Sequence, residues 1–151
     1  MESRTQFSVF MVHRPGLLAQ ICRELAKAKV NITALTMMDA SEHSVLRLLP
    51  EKVGETREVL RRLNAPLTET EVLVVPLSNR PGAVADVCER LSDAHVHLAY
   101  MYCTAGTRSG KTVAVFKVPD IKKAMKIIEG RRPRSRDMKI KLRRPPARRR
   151  A

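Results

Sequence analysis

The feature that most constrains this chain is a repeat. The stretch HRPGLLAQICRELAKAKV begins at His13, and NRPGAVADVCERLSDAHV begins at Asn79. At an offset of 66 residues Arg14 matches Arg80, Pro15 matches Pro81, and Gly16 matches Gly82. The match continues through Ala19/Ala85, Cys22/Cys88, Leu25/Leu91, Ala28/Ala94 and Val30/Val96. Self-similarity at a domain-like period means that one supersecondary unit is present twice. A chain of 151 residues buries either one good core or two small ones that share an interface.

The first unit opens on the apolar, β-prone run QFSVFMV, Gln6 to Val12. After the Arg-Pro-Gly stretch, Leu18, Ile21, Cys22 and Leu25 form a stripe at helical spacing, and Asn31 is read as the helix breaker. ITALTMMDA reads as a strand, SEH as a turn and SVLRLLP as its hairpin partner. Pro50-Glu51 opens a second helix with Val59, Leu60 and Leu63 on one face, and Leu67 to Leu77 is a long strand. The order β-α-β-β-α-β is that of the ferredoxin-like plait, two helices on one face of a four-stranded antiparallel sheet. The second unit repeats it. Its first helix carries Val84, Val87, Cys88 and Leu91, and LAYMYC and KTVAVFKV form its hairpin. Ile121, Ala124, Met125 and Ile128 face inward on its second helix, and MKIKL, Met138 to Leu142, is expected as its last strand.

The expected fold is therefore α+β: two βαββαβ plaits packed as one body, residues 1–70 and 71–142, with a disordered basic tail at 143–151. No linker separates the units, so the strand around 67–77 is expected to be shared or swapped between them.

Proline suits the first turn of a helix because its φ is fixed and it has no N–H to satisfy. Glycine permits close approach to the backbone. Together they make a tight strand-to-helix turn whose free amides, aided by the helix dipole, attract a carboxylate or phosphate. A compact turn is also what any such plait needs at that point. The duplication favours the ligand-site reading, because both copies present amides at the same topological place.

Composition removes several alternatives. With two Tyr, three Phe and no Trp, recognition by aromatic stacking has little to work with. The net charge is +14, but residues 131–151 hold eleven Lys or Arg against one Asp, so ten of the excess charges lie there and only four in the first 130 residues. The basicity belongs to an appendage. No apolar run reaches the length of a membrane span, and no leader is legible at the N-terminus. Cys22, Cys88 and Cys103 form no CxxC; they read as buried, reduced, inert thiols of a cytoplasmic protein.

On the strength of HRPGLLAQI and NRPGAVADV, each followed by a helix and then VNITAL or VHLAYMY, together with MMDASEHSVLRLL and the AYMYC…KTVAVFKV hairpin, the chain resembles a tandem ACT-domain protein over residues 5–142. The resemblance implies a small regulatory module that holds an amino acid between neighbouring domains. It places the turn Asn of the family at His13 in unit one and Asn79 in unit two, and the second-strand Asn at Asn31 and His97. Each unit thus keeps one Asn and carries His for the other. The implied site is Asn79, Arg80, Gly82, Ala83 and Val84 with Asn31. A second, unequal site would join His13, Gly16, Leu17 and Leu18 with His97. Fixed N–H donors suit the ligand carboxylate, and Asn oxygens suit its ammonium.

Other motifs carry less. AGTRSGKT, Ala105 to Thr112, imitates a phosphate loop but has Ala105 where the first Gly belongs and precedes a strand. His95 and His97 have metal-compatible spacing without a third ligand. RNA-recognition motifs share the plait but stack bases on central-strand aromatics, which SVLRLL lacks. No nucleophile–base set is legible. The expectation is a non-enzymatic amino-acid sensor without cofactor or metal, a homodimer acting on an enzyme in trans. The alternative is a nucleic-acid-associated regulator that binds DNA, RNA or an acidic partner through the basic tail by counterion release.

Overall fold

In the computed structural model, residues 1–12, 14–39, 44–104 and 111–130 are described. The elements follow the expected order. They are β1 Glu2–Met11, α1 Leu17–Lys27, β2 Ile32–Asp39, β3 Ser44–Pro50, α2 Val53–Arg62 and β4 Leu67–Ser78, then α3 Ala83–Asp93, β5 Tyr100–Cys103, β6 Lys111–Lys117 and α4 Ile121–Glu129. All six strands join one antiparallel sheet in the order β2-β3-β1-β4-β6-β5. The two plaits meet at β1 and β4. Each of these strands fills, for the other unit, the position beside its first strand.

This arrangement explains why β1 begins at Glu2 and not at Gln6. Its C-terminal half, Phe7 to Met11, pairs with β3, while Glu2 to Val9 pairs with Val74 to Leu67 of β4. Pairing gives the polar ESRT segment backbone partners that its composition alone would not suggest. β4 pairs with β1 from Leu67 to Val74 and with β6 from Leu73 to Ser78. The place beside β4 where a last strand of unit two would lie is thus held by β1. The expected strand Met138–Leu142 and the tail at 143–151 lie outside the described residues.

Alternation along the strands divides the sheet faces. Phe7, Val9, Leu46 and Leu48 meet Ile21 and Leu25 of α1 and Val59 and Leu60 of α2 in one core. Leu73, Val75, Ala114 and Phe116 meet Val87 and Leu91 of α3 and Ala124 of α4 in a second. The opposite sheet face is also covered: Ala34, Leu49, Val72, Val74 and Val115 form a third cluster.

Helix ends are set locally. α1 stops at Lys27, before the expected breaker Asn31, because Lys29 adopts φ 53°. Val30 N–H then donates to Leu25 O, and Lys29 N–H to Ala26 O, the two bonds of a Schellman stop. α3 ends the same way at His95, φ 53°, with Val96 N–H donating to Leu91 O. His95 therefore has a structural task in ending a helix. α4 is capped by Asp120, whose Oδ1 accepts from Lys123 N–H at 2.8 Å.

Candidate functional site

Both Arg-Pro-Gly stretches form the same turn. Gly16 has φ 87° and ψ −11°, and Gly82 has φ 84° and ψ −11°. Leu17 N–H donates to Arg14 O at 3.4 Å, and Ala83 N–H to Arg80 O at 3.3 Å. Proline second and a left-handed glycine third define a type II turn. Helix bonds follow at once, Gln20 N–H to Gly16 O and Asp86 N–H to Gly82 O, each 2.9 Å. The glycines are required by φ and not by crowding. A Cβ on Gly16 would meet nothing within 4 Å, and one on Gly82 only Arg80 Nη1 at 3.5 Å. The cap residue of both helices, being glycine, brings no side chain to the first-turn amides.

Beside the second turn lies a pocket of about 220 Å³, lined among others by Ser78, Arg80, Ala83, Asp86 and Arg90. Its charges are partly spent. Arg80 pairs through Nη2 with Asp86 Oδ2 and also donates to Pro81 O at 3.1 Å. Arg90 Nη1 donates to the carbonyls of Ile128 and Gly130 at the end of α4, while its buried Nε has no partner among the described residues.

Asn79 is exposed at the end of β4. Asn31 is exposed before β2; its Nδ2 donates to Glu51 Oε1 at 2.8 Å, and its carbonyl accepts from Glu51 N–H at 3.0 Å. Both lie at the same end of the sheet, but β3 and β1 stand between their strands, so one chain does not bring them together. His97 is exposed and precedes β5 at the other end. His13 lies outside the described residues. Leu17 and Leu18 pack against the first core, which leaves them half-buried. Ala83 is buried and Val84 half-buried in the first turn of α3.

Three further expectations meet the structure here. The thiols are less buried than expected: Cys22 and Cys88 are half-buried, and Cys103, at the end of the short edge strand β5, is exposed. Partial burial still pushes the Cys88 and Cys103 thiols up from their ordinary value. Among the described residues no three His, Cys, Asp or Glu side chains converge as a metal site would need. Of the phosphate-loop look-alike, Ala105 to Thr112, residues 105–110 lie outside the described residues, and Lys111 and Thr112 begin strand β6.

The sequence reading missed a polar cluster on the sheet face opposite the helices. Gln6 is fully buried. Its Nε2 donates to the Tyr100 hydroxyl at 2.8 Å, and its Oε1 accepts from the Tyr102 hydroxyl at 2.9 Å. Arg47 lies over the Tyr100 ring, 3.4 Å from its centroid. β3 and β5 are four strands apart, about 19 Å in a flat sheet. The contact therefore shows that the sheet rolls over its open face. Desolvation, with Tyr100 nearby, drives the Tyr102 hydroxyl far above its ordinary value. The signal available in the sequence was Gln6 itself, a polar residue between strand positions that face a core.

Residues 3–133 match the family described as ACT domain pair. Among solved structures, protein BT0572 from Bacteroides thetaiotaomicron is 24% identical with a TM-score of 0.76, over 84% of this chain and 87% of that one. The ligand-free regulatory subunit of aspartate kinase from Thermus thermophilus is 12% identical with a TM-score of 0.63, over 85% and 93%. Its counterpart from Thermus flavus is 12% identical with a TM-score of 0.60, over 85% and 91%. No curated protein sequence matches the chain. With the family match spanning most of its length, and with both glycine turns and the joined plaits in place, this chain belongs to the ACT domain pair family.

Proposed function

We propose that the protein is a non-catalytic, cytoplasmic regulatory module that binds an amino acid at its Arg-Pro-Gly turns and acts on an enzyme in trans. The observation that carries this reading is the doubled type II turn. Two identical left-handed glycines, φ 87° and φ 84°, open α1 and α3 at corresponding places, and the second turn borders a pocket of about 220 Å³. Turn amides and the helix dipole suit a carboxylate, and Asn side chains suit an ammonium. The fold is also that of proteins named as regulatory subunits of aspartate kinase.

The ligand is proposed to contact Asn79, Gly82, Ala83 and Val84 together with Asn31. Since β3 and β1 separate the strands of Asn79 and Asn31 within one chain, Asn31 comes from a second copy, and the functional unit is a homodimer. Residues 1–70 and 71–142 act as its two ligand-reading units.

A thermal-shift panel of the common amino acids on the full chain tests this. A ligand at about 100 times its Kd stabilises by roughly 2.7 kcal/mol. At roughly 2 to 4 °C per kcal/mol for a chain of this size, the melting temperature rises by about 5 to 11 °C. The shift should disappear in Asn79→Ala and in Asn31→Ala. A flat panel, or a shift that survives both substitutions, refutes the site.

A further inference from the structure

The cluster around Gln6 joins the two units where the sheet rolls over. Gln6 and Arg47 come from β1 and β3 of unit one, and Tyr100 and Tyr102 from β5 of unit two. We propose that these four residues form a latch: β5 swings as a flap, held closed by the Gln6–tyrosine bonds and the Arg47–Tyr100 stack, and its release uncovers the apolar floor of Val72, Val74 and Val115.

Strand β5 is otherwise weakly held. Among the described residues it is an edge strand of four residues, Tyr100 to Cys103, paired with β6 alone. Its hold on unit one combines the packing of Tyr102 on the cluster of Ala34, Leu49, Val72, Val74 and Val115 with polar contacts, which trade almost evenly with water when they open. The closed state is also incompletely satisfied, because Arg47 Nε is buried with no partner among the described residues. A buried donor without a partner disfavours closure and gains a water on opening. Short, polar-latched edges of this kind are the ones expected to open below the global unfolding free energy. The latch also has a natural input. His97 stands three residues before Tyr100, on the segment joining α3 to β5, so a ligand held there would bias the flap. That input rests on the proposed ligand turns; the latch and its test do not.

The test is amide hydrogen exchange on the full chain without ligand. β5 peptides should exchange at least about tenfold faster than those of β1 and β4 while the protein remains folded. Tyr102→Phe strips Gln6 Oε1 of its donor and should speed β5 by about a further tenfold, leaving β1 and β4 unchanged. Equal protection of β5 and β4 in the unaltered protein, or one common acceleration of all strands in Tyr102→Phe, overturns the proposal. The unaltered chain gives a second readout that needs no variant. It has no Trp, and both its tyrosines are in the latch, so its near-ultraviolet emission reports on the latch alone. Quenching by acrylamide should rise on warming before helical circular dichroism falls, and coincident transitions would refute a separate opening. An amino-acid panel that fails while β5 opens separately rejects the ligand reading and leaves the latch standing.

Discussion

Replacing Gly82 by alanine isolates the physical reason for the repeated turn. At φ 84° an L-residue brings its Cβ against its own backbone, which costs about 1–2 kcal/mol. Alanine also restricts the unfolded chain, which returns roughly 0.4–1 kcal/mol. Crowding adds little, since the nearest atom to a new Cβ is Arg80 Nη1 at 3.5 Å. The net expectation is a loss of about 1 kcal/mol, or roughly 2–4 °C in melting temperature. Gly16→Ala should match it, because φ is 87° and a Cβ there meets nothing within 4 Å. Gly54, in the first turn of α2, supplies the control: its Cβ also meets nothing, and its φ lies outside the left-handed region. Gly54→Ala should therefore stabilise, by up to about 1 kcal/mol. Urea unfolding of the three variants reads the differences as shifts in midpoint at constant slope. One chemical change with opposite signs is the outcome required. A neutral Gly82→Ala, or the same sign at Gly54, would show that φ does not govern these positions.

An ion pair and a buried hydroxyl make stability depend on pH. Arg57 Nε and Nη2 donate to Glu69 Oε1 and Oε2 at 2.6 and 2.7 Å, and these bonds hold the Glu69 carboxyl below its ordinary value of 4.5. A depressed carboxyl contributes stability above its unfolded value and loses it as pH falls through the folded one. The stability difference between the unaltered chain and Glu69→Gln should be full near neutrality and shrink as pH drops below 4.5; a constant difference down to full protonation would refute the pair. Tyr102 titrates in the opposite sense. Its raised hydroxyl contributes stability that is present below the ordinary tyrosine value of 10 and fades as pH rises above it. Tyrosinate absorbance from Tyr102 should appear only as the fold opens in alkali, and its appearance in the folded chain near 10 would contradict the burial.

The sequence by itself determined what short-range physics can write. The 66-residue offset states that a unit is doubled. Helical stripes and alternation state the element order, and Pro-Gly after a strand states a turn, because φ preferences and side-chain periodicity are properties of neighbouring residues. The turn glycines Gly16 and Gly82 were legible for that reason, whereas Asn79 was a candidate only through the resemblance to ACT domains. Other decisions needed the tertiary structure. ESRT does not read as a strand, yet it lies beside β4, because backbone pairing is non-local and any extended segment with free amides competes for an edge. The resemblance makes Asn31 and Asn79 partners in one site, but the strand order sets β3 and β1 between them. Gln6 sits 94 residues from Tyr100 and 96 from Tyr102, and nothing in either local pattern announces that contact. It exists because the shared β1–β4 centre makes one rolled sheet, which brings together side chains far apart in the chain.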